Sequence, residues 1–169
     1  TSITIPEGVT SIEKNAFNIC RNLKNITISE GVTSIGDNAF QNCVNLSGVE
    51  FSDNLIYVGK NAFDGTPWLE NERAENPFVI RKGILIDAKN CSGDVEIPHG
   101  VTMLGTSAFA GNASLNSIKI PDSVTSIGDW TFTGCTSLTS ITIPESVTSI
   151  GEEVFESCYN MENIFCKAV

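Results

Sequence analysis

Stepping along the chain by 23 residues from Ile3 lands on Ile26 and Val49, misses the pattern at Glu72, then lands on Val95, Ile118, Ile141 and Ile164. Around each start the same apolar positions recur. They are Ile3, Ile5, Val9, Ile12, Ala16, Phe17, Cys20 and Leu23 in the first copy, and Ile26, Ile28, Val32, Ile35, Ala39, Phe40, Cys43 and Leu46 in the second. A fixed period of this length marks a stacked array. One copy offers only about eight apolar side chains, too few to offset the entropy lost on ordering the whole copy, so neighbouring coils must bury one another. The fold class expected is therefore a repeat solenoid, with copies starting at 3, 26, 49, 95, 118 and 141.

Inside a copy, the Ile-Thr-Ile alternation makes a short strand with two residues inward and one outward, and Pro6, Pro98, Pro121 or Pro144 stops its ladder. The β-branched Val-Thr-Ser-Ile run is a second extended segment on a neighbouring face, closed by Gly36, Gly59, Gly105, Gly128 or Gly151. The Ala-Phe pair is expected in a single helical or 3₁₀ turn, because too few residues remain for a longer helix. The architecture is thus mainly short parallel β-strands with short helical or 3₁₀ turns.

The third copy keeps its core at Val49, Phe51, Leu55, Val58, Ala62, Phe63 and Leu69, but Asn54, Ile56, Tyr57 and Thr66 replace the usual Gly, Thr, Ser and Cys. Residues 72–94 then fill one period without the pattern and are not counted as a coil. Residues 70–77 read as a polar connection. The apolar runs 78–81 and 84–87 flank Lys82-Gly83, which points to one β-hairpin insertion whose apolar face lies on the solenoid or, as the alternative, on a partner.

With 169 residues and 41% of them hydrophobic, the chain has side chains enough for a continuous core and is expected to form a single solenoid over 1–169. Its net charge of −10 leaves no basic stripe for phosphates, which argues against nucleic acid and anionic lipid as partners. No run approaches the roughly 18 apolar residues of a membrane span. The chain opens directly on a strand, and a further copy begins at Ile164, so it is expected to be a fragment of a longer protein.

Four of the six cysteines, Cys20, Cys43, Cys135 and Cys158, share one repeat position. Stacked coils put them about 5 Å apart, within disulfide reach, but buried free thiols acting as small apolar residues are the expectation. Cys91 and Cys166 lie off this ladder, so the repeat does not require them to be buried. His99 has no motif-spaced nucleophile or metal ligand, and no phosphate-binding, dinucleotide or zinc spacing occurs, so neither catalysis nor a cofactor nor a metal is expected. Glu7, Glu30, Asp53, His99, Asp122 and Glu145 form an acidic column interrupted at His99: a solvated turn, with a weak calcium edge as the sharper alternative. Asn-x-Ser/Thr triplets at Asn25, Asn45, Asn90 and Asn112 carry little weight in a repeat so rich in these residues.

The pattern Leu-x-x-Ile-x-Ile-Pro-x-x-Val-x-x-Ile-Gly-x-x-Ala-Phe-x-x-Cys-x-x-Leu, seen from Leu115 to Leu138 with Thr131 in place of Ala, resembles the leucine-rich repeats of the BspA type. Six copies carry it, over about 140 of the 169 residues. The resemblance implies a solenoid with short parallel strands, usually within bacterial or protozoan surface proteins, some linked to adhesion and host-protein binding. No catalytic residue belongs to that motif. The function implied is an extracellular or cell-surface module binding a protein ligand of the host or matrix kind. A structural spacer or stalk is the alternative, and a carbohydrate-binding array a third.

Inward residues are dictated by stacking, so ligand information must lie in outward departures from the repeat. These are Ile56, Tyr57 and Met103 at positions usually bearing hydroxyls, Trp68 just before the insertion, and Glu50 and Glu96 on the strands. As candidate partner-binding residues they would act as aromatic anchors with a polar rim, unless the hairpin covers them.

Overall fold

The Ile-Thr-Ile segments become strands, as their alternation and β-branching require. The computed structural model describes residues 1–167, in which the chain divides into two units, the first Thr1–Lys82 and the second beginning at Gly83. In the first unit the order is β1 (Ser2–Thr4), β2 (Ser11–Ile12), β3 (Asn25–Thr27), β4 (Ser34–Ile35), β5 (Gly48–Glu50), β6 (Tyr57–Val58), α1 (Pro67–Glu75) and β7 (Val79–Arg81). The second contains β8 (Ile84–Asp87), β9 (Gly93–Glu96), β10 (Met103–Leu104), β11 (Leu115–Lys119), β12 (Ser126–Ile127), β13 (Ser140–Ile143), β14 (Ser149–Ile150) and β15 (Asn163–Cys166).

Strands one repeat apart pair in parallel, which makes each unit a β-solenoid. In the first unit β1-β3-β5 align Ile3, Ile26 and Val49, and β2-β4-β6 align Ile12, Ile35 and Val58. In the second, β8-β10-β12-β14 form one ladder, while β9 pairs with β11 and β13 with β15. The recurring apolar positions fill the interiors, with Ile35, Phe40, Leu46, Leu104, Phe109, Phe132 and Leu138 fully shielded from solvent. Phe rings stack along each axis: Phe17, Phe40 and Phe63 at 5.2 Å spacing in the first unit, and Phe109, Phe132 and Phe155 at 5.2 and 5.7 Å in the second. The glycines closing the second segment sit where coils touch. A Cβ on Gly36 would lie 2.6 Å from the Lys14 nitrogen, and one on Gly128 2.8 Å from the Thr106 nitrogen.

The Ala-Phe pair sits in single turns closed by bonds between residues three apart, as expected, and these turns do not lengthen into a helix. The N–H groups of Ala16, Asn18 and Cys20 close local turns onto the carbonyls of Glu13, Asn15 and Phe17, each at 3.1 Å. Those of Asn15, Phe17 and Ile19 instead donate to Asp37, Ala39 and Gln41 in the next coil at 2.8–2.9 Å. Because alternate donors leave for the neighbouring coil, no two successive local bonds form, and a helix cannot propagate. Left-handed backbone at Asn15 (φ 61°) and Ile19 (φ 60°) accompanies this pattern.

Two expectations are corrected around the insertion. The polar connection at 70–77 is mostly the helix α1. Thr66 caps it, its hydroxyl accepting from the Leu69 N–H at 3.2 Å, Pro67 opens it and Asn76-Pro77 ends it. Nor are residues 84–94 outside the stack. Leu85 lies opposite Leu104, 19 residues on, and the 23-residue register returns at Val95 opposite Ile118. The Ala88 N–H donates to the Ala108 carbonyl at 2.7 Å as the Phe109 N–H does to Thr131 in the next coil, so Ala88 takes the Phe place in a shortened half-coil. The two strands expected there, β7 and β8, do form, flanking a turn with left-handed Lys82 (φ 52°) and Gly83 (φ 77°).

Candidate functional site

The outward residues of the first-segment strands form a column in each unit. In the first, Thr4 and Glu50 are exposed, and the Thr27 hydroxyl donates to a Glu50 carboxylate oxygen at 3.0 Å. In the second, Glu96, Lys119, Thr142 and Phe165 follow one another, all exposed, with Thr142 opposite Phe165 in register. The Lys119 ammonium lies 2.6 Å from the Glu96 carboxylate and holds that carboxyl below its ordinary range. Beside this column the second unit has a cleft of about 470 Å³ lined by Glu96, His99, Lys119, Asp122, Thr142 and Lys167 among others. A second ion pair, Lys167 to Asp122 at 3.8 Å, borders it.

The second-segment columns are mostly hydroxyl-bearing, and those hydroxyls have a structural use. Thr33 donates to the Thr10 carbonyl, Thr125 to Thr102 and Thr148 to Thr125, at 3.2–3.3 Å. Ile56 breaks the row in the first unit and leaves its side chain 69% exposed. Tyr57 beside it is half-buried in β6, and in the second unit Met103 is half-buried between Ile84 and Ser126 in register.

Trp68 does not belong to this surface. It is 5% exposed in the first unit, with its ring 4.6 Å from Phe63 and 5.3 Å from Phe51 and the Arg81 guanidinium 5.5 Å away. Helix α1 turns it inward to cover the end of the Phe stack. Of the remaining candidates, Glu50 and the Ile56-Tyr57 pair lie in different sheets of the first unit, and Glu96 and Met103 in different sheets of the second. The outward residue that sequence reasoning passed over is Phe165, 54% exposed. Aligning Ile164-Phe165 with Ile141-Thr142 would have found it.

The ladder thiols are free, with Cys43, Cys135 and Cys158 buried and Cys20 half-buried. Each buried one donates its S–H to the Phe carbonyl of the previous coil, Cys43 to Phe17 at 3.0 Å, Cys135 to Phe109 at 3.2 Å and Cys158 to Phe132 at 3.0 Å. Burial pushes the Cys135 thiol up to about 12. Of the two cysteines off the ladder, Cys91 is buried in the half-coil, where burial and then the Asp87 carboxylate push it up to about 11, and Cys166 is exposed. In the acidic column Glu30 accepts the Asp53 N–H at 2.9 Å, and Asp53 pairs with Lys82. Among the described residues no three His, Cys, Asp or Glu side chains converge as metal ligands would, and no helix is long and apolar enough to cross a membrane.

Parallel coils of 23 residues with this apolar ladder define a leucine-rich-repeat β-solenoid. The family described as the BspA type leucine rich repeat region matches residues 1–79 and 88–168 in 6 copies, and the chain belongs to that family. No curated protein matches the chain. Among solved structures it is similar to a leucine-rich repeat protein from Eubacterium ventriosum, at 24% identity and a TM-score of 0.51 over 99% of this chain and 60% of that one. A leucine rich repeat protein of T. pallidum aligns at 24% identity and a TM-score of 0.49 over 96% of this chain and 78% of that one. A leucine rich cell surface protein from Faecalibacterium prausnitzii aligns at 31% identity and a TM-score of 0.44, over 98% of this chain and 47% of that one.

Proposed function

We propose that this chain is the binding segment of a cell-surface repeat protein, recognising a protein ligand of the host or matrix kind and carrying out no catalysis. The observation that carries this reading is the placement of exposed apolar side chains where stacking leaves the choice of residue free. Ile56 is 69% exposed where Thr10 and Thr33 stand in the neighbouring coils, and Phe165 is 54% exposed where Thr142 precedes it. Neither contributes to the core, and large exposed apolar groups beside charged rims are what protein interfaces use. The rim beside Phe165 in the second unit is the Glu96–Lys119 and Asp122–Lys167 pairs around the cleft. The surface location rests on the repeat family's association with surface proteins.

The test restores the repeat. Purified matrix proteins are presented to the chain and to an Ile56→Thr, Phe165→Thr double variant by biolayer interferometry, with thermal melts confirming that both are folded. Binding to at least one of them that the variant loses is the expected result. Equal binding by the variant, or none by either protein, would sink the reading in favour of the spacer. The spacer has its own support in the Thr33, Thr125 and Thr148 hydroxyls, which are spent on holding coils together rather than presented to a ligand. Loss of the epitope when intact cells are treated with protease tests the location separately.

A further inference from the structure

We propose that the outer arc at residues 152–159 of the second unit docks a cationic polypeptide segment, rich in Lys or Arg, on a surface independent of the strand face described above. The first support is charge. The first 82 residues hold ten carboxylates and seven basic side chains, whereas residues 83–169 hold ten carboxylates and only three lysines. Each of those lysines already faces a carboxylate, Lys89 at Asp87, Lys119 at Glu96 and Lys167 at Asp122. Glu152, Glu153 and Glu156 are all exposed, and among the described residues none has a basic partner.

A solvated acidic face needs no aromatic side chains, and this one has two. Tyr159 is 82% exposed, at a repeat position filled elsewhere by Arg21, Val44, Ala113 and Thr136, so stacking does not ask for it. Its hydroxyl donates to the Ser157 hydroxyl at 3.3 Å. The half-exposed Trp130 is tied to the same arc, its indole N–H donating to Glu153 at 2.6 Å and its backbone N–H to the Glu152 carbonyl at 2.9 Å. Aromatic faces among carboxylates attract guanidinium and ammonium groups through both the ring quadrupole and charge. An anionic partner would be repelled, and a purely apolar one would leave the carboxylates desolvated without a counter-charge.

The probe is fluorescein-labelled octa-arginine, titrated with the full chain by anisotropy. Compared with the wild type are Glu152→Gln with Glu156→Gln, Tyr159→Ala, Tyr159→Phe, and a control, Glu7→Gln with Glu75→Gln, which removes the same number of charges from the first unit. Saturable binding of one peptide per chain is expected. The arc double variant and Tyr159→Ala should each weaken it by about fivefold, while Tyr159→Phe and the control stay within about twofold. Equal loss in the control would reduce the effect to net charge. Unchanged binding by Tyr159→Ala, or no saturable binding, would overturn the proposal. Thermal melts check folding, and the two exposed Glu→Gln changes keep the test informative if Tyr159→Ala unfolds. Failure here leaves the strand-face reading standing, because Ile56 and Phe165 are unaltered in every variant.

Discussion

The two units build the same Phe stack and finish it differently. In the first, Phe17, Phe40 and Phe63 run into Trp68 and Phe51, and helix α1 is folded to deliver the indole. In the second, the stack of Phe109, Phe132 and Phe155 has no ring before it, because Ala88 stands at the Phe place of the preceding half-coil. Where the repeat is interrupted, the Cys position also changes. Thr66 stands there in the first unit and Asn112 in the second, both buried. A thiol can only bond the coil behind it. Thr66 donates to the Phe63 carbonyl at 2.7 Å while capping α1, and Asn112 donates to the Cys91 carbonyl at 2.8 Å while accepting the Ser114 N–H at 3.0 Å. Departures from a repeat at buried positions are thus chosen to close irregular backbone, and only departures at exposed positions are free to serve a ligand.

The largest effect expected is from truncating the stacks. Phe40→Ala and Phe132→Ala each remove a ring with no exposed surface and should cost about 3–5 kcal/mol in denaturant unfolding. Trp68→Ala should cost about as much if the indole completes the first stack, against little if it merely lies on it. A loss below about 1 kcal/mol for Trp68, with the Phe variants behaving as expected, would break the comparison at its first unit.

Next come the two replaced cysteines. Thr66→Ala removes a helix cap and a donor and should cost about 1–2 kcal/mol. Asn112→Ala removes the buried amide that donates to the Cys91 carbonyl and accepts from the Ser114 N–H, and should cost about 1–3 kcal/mol. Restoring the repeat with Thr66→Cys or Asn112→Cys should not recover the loss, because an S–H group cannot accept and donate at these geometries as the native side chains do. Recovery by cysteine, read from the same unfolding curves, would mean that the polar groups are incidental.

What the chain discloses before folding follows the same division. The 23-residue period exposed the coils, the inward columns and the parallel pairing, because each is imposed by a neighbour of known sequence. Helix α1 was hidden by reading from Glu70, which set aside the Thr66-Pro67 start signal. The half-coil was hidden because Leu85 pairs 19 residues ahead, so a fixed 23-residue template finds no pattern in residues 72–94. Trp68 looked like a surface anchor for the same reason. Its burial depends on a helix turning it inward, and no strand alternation predicts that.

Thiol chemistry separates the ladder from the exceptions. Alkylation of the native chain should modify Cys166 first and Cys20 next, with Cys43, Cys91, Cys135 and Cys158 reacting only after unfolding; mass spectrometry reads the order. The pH dependence has a definite sign. The folded Cys135 thiol titrates at about 12 and the unfolded one near an ordinary thiol value of about 8.5. The neutral thiol's contribution is therefore fully present below about pH 8.5 and is lost as pH rises toward 12. Cys135→Ala should flatten the fall in Tm across that window relative to the wild type, and an unchanged slope would place the alkaline loss on other groups.

The smallest effect is the most telling for function. Ile56→Thr returns the first unit's exposed row to the residue of its neighbours, and Ile56 is 69% exposed with its backbone N–H already donating to the Thr33 carbonyl at 2.9 Å. The backbone bond survives the change, and the new hydroxyl can reach that same carbonyl as the Thr33 hydroxyl reaches Thr10 at 3.3 Å. Stability should move by less than about 0.5 kcal/mol, and toward greater stability if at all. A loss of 1 kcal/mol or more would show the isoleucine to be packed, and its exposure could no longer be credited to a ligand. If stability holds while binding falls, the departure from the repeat at this position is explained by the partner alone, since folding gains nothing from it.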